Sequence, residues 1–197
     1  MTYGLMFYWF GWLFWGITTF FMKKGRLRTL FSALILMMLI CSNVEFLFGE
    51  LVIFFPILFL LVTSLLLYAT LSKPLYYFLC SFILMIGYTA ISFWKHHLSI
   101  DILVQDIFLV PLICWIIISL LVKGLYHRLI ISMLGITAGE ILHGLVLTSY
   151  HLPETIGSHD FFVVLYMVLL YLLVVHIFRK VKVGIYTSIN DYFKPSS

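Results

Sequence analysis

Long apolar runs separated by short polar stretches fill the chain from its first residues to about position 178. A membrane-spanning helix needs about 20 largely apolar residues to cross roughly 30 Å of hydrocarbon. The chain has seven runs of about that length. The predicted spanning helices lie near residues 3–22, 30–48, 51–71, 74–94, 102–122, 129–150 and 161–178. The pattern therefore predicts an all-α, polytopic transmembrane bundle, formed as a single domain over residues 1–197 with a polar tail at 179–197.

The connection between the second and third predicted helices is the shortest of the series. Only Gly49 and Glu50 separate these two apolar runs. A connection of this length also fits a single re-entrant hairpin, and that alternative stays open from the sequence.

The distribution of basic residues predicts the orientation of the bundle. Lys and Arg near helix ends are retained on the cytoplasmic side of a membrane. When seven helices alternate across the bilayer, Lys95 is the only one of the 12 Lys and Arg residues that falls on the side of the amino terminus. We therefore expect the amino terminus outside and the tail at 179–197 in the cytoplasm.

The composition supports the interpretation as a membrane protein and limits the classes of expected binding partner. Apolar residues make up 63% of the chain and charged residues 10%, whereas soluble domains are about 45–50% apolar and about 25% charged. A water-soluble fold has too little interior to bury so much apolar surface. The expected partners are membrane lipids and other membrane proteins, not nucleic acids.

Ionisable side chains within the apolar runs are the candidates for function. Placing such a group in hydrocarbon is costly, so it usually faces the bundle interior and has partners. The candidates in the outer half of the predicted bundle are Glu45, Asp106, Glu140 and His143. They are interpreted either as separate interhelical hydrogen-bonding groups or as one ion or proton site.

The sixth predicted helix is expected at the centre of the bundle. Residues three and four apart share a helix face, and this spacing produces a polar stripe formed by Thr137, Glu140, His143, Gly144 and Thr148. Beside the stripe, Gly135 and Gly139 form a small-residue pair that allows close approach of another helix.

Motifs for catalysis and cofactor binding are missing from the sequence. There is no H-E-x-x-H helix, no G-x-S-x-G turn and no phosphate-binding Gly-Lys-Ser/Thr loop. Glu140-x-x-His143 has the spacing of di-iron carboxylate bundles, but the second such pair that those sites need is absent. We predict no catalytic residue, no metal ligand and no cofactor.

Three functional hypotheses remain open at this point. The first is a non-enzymatic scaffold, sensor or accessory subunit of the envelope. The second is a small proton or cation carrier or channel that uses the buried acids. The third is an intramembrane enzyme that modifies a lipid.

The length, the seven-helix layout and the aromatic first helix ending in Phe20-Phe21-Met22-Lys23-Lys24 resemble the small YphA-type membrane proteins of Bacillus and its relatives. The resemblance covers the whole chain. It implies a location in a bacterial cytoplasmic membrane, and it implies neither a catalytic residue nor a substrate.

Overall fold

The computed structural model describes residues 2–48, 51–97, 103–150 and 155–192. These residues form seven helices and three short strands. In chain order the elements are α1 (Thr2–Phe21), α2 (Arg26–Ile40), β1 (Glu45–Phe48), β2 (Leu51–Phe54), α3 (Phe55–Tyr68), α4 (Pro74–His97), α5 (Leu103–Leu121), α6 (Leu125–Ser149), β3 (Thr155–Ile156) and α7 (His159–Tyr192).

Three helical stretches among the described residues are long and apolar enough to cross a membrane. They are Pro74–Trp94, Leu125–Ser149 and His159–Lys182, with mean hydropathies of 1.7, 1.8 and 2.7. Two shorter apolar helical stretches, Phe55–Tyr68 and Phe108–Leu121, accompany them. The chain is thus a largely helical protein with helices suited to a bilayer.

The structure differs from the prediction between positions 30 and 71. Helix α2 ends at Ile40 instead of near position 48, and α3 begins at Phe55 instead of near position 51. With 15 and 14 residues, these helices are about 22 Å and 21 Å long, less than the roughly 30 Å of hydrocarbon. The residues between them form strands β1 and β2.

Local chemistry explains why strands replace the predicted helix ends. The segment from Val44 to Phe55 is rich in aromatic and β-branched residues, which favour strands. Phe48 is paired with Leu51, which leaves two intervening positions, a common length for a hairpin connection. Pro56 lies in the first turn of α3, where its missing N–H costs nothing, so the helix starts there.

The three strands form one small sheet in the order β1-β2-β3. Strand β2 pairs antiparallel with β1 and parallel with β3, where Val52 is opposite Thr155 and Ile53 is opposite Ile156. Strand β3 lies just before α7 in the chain, so this pairing connects two distant parts of the sequence. Ile156 packs closely on Gly144 of α6, which places the sheet against the last turns of that helix.

Helix α6 lies at the centre of the described fold. It packs against α3, α4, α5, α7 and β3, and its most extensive interface is with α4. Ile130, Ile131 and Ile136 of α6 are fully buried. Such burial on several sides is expected for a helix that is surrounded by others.

Helix α7 is longer than predicted. It has 34 residues and continues to Tyr192, whereas the sequence predicted a spanning helix that ends near 178 and a polar tail at 179–197. Arg and Lys are good helix formers and neither Pro nor a cluster of Gly interrupts this stretch. The charged residues after Phe178 therefore extend the helix instead of ending it.

Candidate functional site

The interface between α4 and α6 depends on two small residues of α6. A Cβ atom added at Gly135 would lie 2.9 Å from the backbone oxygen of Ser81, and one added at Gly139 would lie 2.8 Å from Cδ1 of Tyr88. Real Cβ contacts are essentially never this short. The two glycines thus let the backbones of α4 and α6 approach closely, as small residues do in membrane helix pairs.

Hydrogen bonds across the same interface follow from this close approach. Thr89 Oγ1 donates to the backbone oxygen of Met85 within α4 at 2.8 Å and reaches the backbone oxygen of Gly139 at 3.1 Å. A threonine hydroxyl has one proton, so its hydrogen bond alternates or is shared between these two acceptors. The α4–α6 contact therefore combines tight packing with a polar link.

Glu140 is a buried ionisable residue with two described hydrogen-bond donors. Its side chain is 9% exposed. The hydroxyl of Tyr88 donates to Oε2 at 2.7 Å, and the backbone N–H of Gly157 donates to Oε1 at 3.4 Å. One carboxyl group therefore connects α6, α4 and the turn between β3 and α7.

Gly157 reaches Glu140 because of its backbone conformation. Its φ of +78° lies in the left-handed region, which glycine adopts without steric cost. An added Cβ would also lie 2.9 Å from Cβ of Ile57 in α3. The turn after β3 is thus held between α3 and the Glu140 carboxyl.

His143 lies one helical turn from Glu140 on the same face of α6. It is 7% exposed, and its ring packs edge-on against Phe93 of α4 with centroids 4.9 Å apart. The structure thus brings Glu140 and His143, two of the four candidate residues, into one buried region beside α4.

The described side chains do not place the other two candidates in this region. Glu45 was predicted within the second spanning helix, but it lies in β1 and its side chain is exposed, because the segment around it forms the hairpin described above. Asp106 lies in α5, and its side chain is outside the described part of the structure. A common site of all four residues therefore stays a prediction.

The sequence prediction missed the partners of Glu140. Tyr88 and Thr89 form an adjacent polar pair within the apolar run of α4, and this pair was the available signal. Tyr88 was overlooked because a tyrosine within an apolar helix resembles any other aromatic packing residue. Gly157 was overlooked because its backbone N–H, not a side chain, makes the contact.

Tyr88, Glu140 and Gly157 form a hydrogen-bonded cluster, which we call the Glu140 node. A carboxyl oxygen that accepts from a buried tyrosine satisfies the polar requirement of both groups. Across the described side chains, no three His, Cys, Asp or Glu residues are grouped as a metal site would require. The interactions that are present connect secondary-structure elements.

Comparison with known proteins gives one finding at the level of family. The model of a family described as YphA-like integral membrane protein matches residues 3–196. No curated protein and no solved structure was found to match the chain.

Proposed function

Since the chain belongs to the YphA-like integral membrane protein family, we propose that it acts in the bacterial cell membrane as a non-enzymatic scaffold, sensor or accessory subunit. The hydrogen bonding of Glu140 is the observation that supports this proposal. Its two carboxyl oxygens accept hydrogen bonds from α4 and from the turn before α7. A buried acid in this arrangement holds the bundle together, and partners meet the protein within the membrane or at its basic edge.

The proposal includes a topology. Seven crossings place the amino terminus outside and the carboxyl terminus in the cytoplasm, as the distribution of Lys and Arg favours. Helices α2 and α3, of 15 and 14 residues, cross with local thinning of the bilayer, and the hairpin of β1 and β2 lies at its outer surface. Single cysteines introduced at Gly25 and Ser196 test this arrangement in a variant without Cys41, Cys80 and Cys114. Both are expected to react with an impermeant thiol reagent only from the cytoplasmic side.

A flux assay distinguishes the scaffold from the proton or cation carrier. Protein reconstituted in liposomes is compared with protein-free liposomes for proton, sodium and potassium flux, using wild type, Glu140→Gln and Asp106→Asn. The scaffold hypothesis predicts background flux for all three proteins. Flux in wild type that disappears in Glu140→Gln would refute it in favour of the carrier.

A further inference from the structure

An apolar cavity whose lining does not include Glu140 lies between α1, α2, α3, α6 and α7. Its volume is about 260 Å³. The residues that line it include Ile17, Met22, Leu27, Met133 and Leu169. None of the residues in this lining carries a charge, so the cavity suits a hydrocarbon ligand.

The size of the cavity matches part of an acyl chain. A dry, apolar cavity of about 150 Å³ holds one benzene molecule. By the same ratio, 260 Å³ accommodates on the order of ten carbon atoms. That is more than half of a typical phospholipid chain, and the surrounding bilayer supplies such chains at high concentration.

Basic residues lie beside one end of the cavity. Met22 and Leu27 both line it, and Leu27 is 42% exposed, so the cavity reaches the protein surface there. Between them lie Lys23 and Lys24 in the loop and Arg26 at the start of α2, all with exposed side chains. At this end an apolar cavity is therefore next to a cluster of positive charge.

A ligand with a hydrocarbon chain and an anionic head has the complementary chemistry. We propose that the cavity binds one acyl chain of an anionic phospholipid from the adjacent leaflet, with its phosphate close to Lys23, Lys24 and Arg26. Each basic residue near an anionic membrane surface contributes about fivefold in binding. The apolar lining of the cavity binds the acyl chain, and the three basic residues favour an anionic headgroup.

Binding of two lipids that differ only in their headgroup tests this proposal. Purified protein in detergent is titrated with phosphatidylglycerol or with phosphatidylcholine of identical chains, and bound lipid is counted by native mass spectrometry. Wild type is expected to prefer phosphatidylglycerol by at least about fivefold. Equal retention of the two lipids would overturn the assignment of the headgroup.

Two sets of variants distinguish the contribution of the cavity to lipid binding from that of the three basic residues. Leu169→Trp places a bulky ring in the cavity and is expected to abolish retention of both lipids, whereas Leu120→Trp, at a residue that is 82% exposed, is the matched control. Substitution of Lys23, Lys24 and Arg26 by Gln is expected to remove the preference for phosphatidylglycerol. The control triple variant replaces the exposed residues Lys73, Lys180 and Lys182. Variants that bind like their controls would overturn the proposal.

A crosslinking experiment on wild type gives a result even if the cavity variant fails to fold. Phosphatidylglycerol with a diazirine at the end of one chain is photoactivated in reconstituted protein, and the crosslinked peptides are sequenced. Crosslinks are expected at cavity residues such as Ile17, Met133 and Leu169. Crosslinks confined to exposed outward positions such as Leu120 would show that the cavity does not hold the chain.

Discussion

Replacement of Tyr88 by phenylalanine is the most direct test of the node at Glu140. The change removes one hydroxyl, which donates to Glu140 Oε2 at 2.7 Å, and leaves the ring that packs beside Gly139. Glu140 then loses its shorter described hydrogen bond and keeps the longer one, from Gly157 at 3.4 Å. Tyr88→Phe is therefore expected to lower the free energy of unfolding with little change in packing.

The magnitude follows from burial and from the membrane environment. Leaving a buried acceptor without its donor costs about 1–3 kcal/mol in soluble proteins. Interhelical hydrogen bonds measured in a membrane protein contribute about 0.6 kcal/mol on average and at most about 1.7 kcal/mol, because the unfolded chain in the membrane also finds partners. Because Tyr88 is 4% and Glu140 9% exposed, we expect a loss in the upper part of that range, about 1–1.7 kcal/mol.

Tyr166→Phe is the matched control in the same protein. Tyr166 is also buried, at 2% exposure, but its hydroxyl has no hydrogen-bond partner among the described residues. Removing an unsatisfied buried hydroxyl leaves stability unchanged or raises it by about 1 kcal/mol. The two substitutions delete the same atom, so the difference between them measures the hydrogen bond.

Reversible unfolding in mixed micelles, followed by tryptophan fluorescence, is the suitable assay. A double-mutant cycle with Glu140→Met completes it. Because the double variant removes both members of the Tyr88–Glu140 hydrogen bond, it is expected to lose less stability than the sum of the single losses, by about 1 kcal/mol. Equal effects of Tyr88→Phe and Tyr166→Phe, or simple additivity in the cycle, would refute the idea of a stabilising node.

Three further substitutions test contacts between the elements of the fold, each by the same unfolding assay. Gly139→Ala is expected to destabilise by about 1–3 kcal/mol, because the new Cβ meets Tyr88 at 2.8 Å. The control is Gly16→Ala, which meets nothing within 4 Å and is expected to be neutral or to stabilise by up to about 1 kcal/mol. Gly157→Ala is expected to cost at least about 1 kcal/mol, since φ is +78° and Ile57 is 2.9 Å away, and a neutral effect would contradict the described turn. Arg128→Met is expected to cost about 1–2 kcal/mol, because this side chain donates to the backbone oxygens of Ser119 and Val122 at the end of α5; Arg128→Lys is expected to recover part of the loss.

The sequence predicts helices well where the length and the apolar composition of a run decide its secondary structure. An apolar run of about 20 residues in this composition has few alternatives to a helix, and helices α4, α5 and α6 lie within a few residues of the predicted bounds. The spacing of polar residues on the sixth run also indicated a central helix, and α6 occupies the centre of the described fold. These features depend on local pattern, which a single sequence records.

Features that depend on distant partners were not predictable in the same way. The run from Val44 to Phe55 is apolar enough for a helix and rich enough in β-branched and aromatic residues for strands. Pairing of Val52 with Thr155 favours the strands, and that partner is far away in the chain. Likewise, Tyr88 is 52 residues from Glu140, and no local pattern marks it as the donor.

The small sheet limits what Glu140 can do in a membrane. An open strand edge is not tolerated in hydrocarbon, because its backbone groups have no partners there. Among the described strands β1 forms an outer edge and bears the exposed Glu45, so this edge belongs at the level of water or headgroups, while Gly157, just after β3, reaches down to Glu140. A carrier that bound a cation at this carboxyl would have to weaken its hydrogen bonds from Tyr88 and Gly157 in every cycle. A structural node keeps both bonds, which is why the described geometry favours a structural role for the acid over an ion-carrying one.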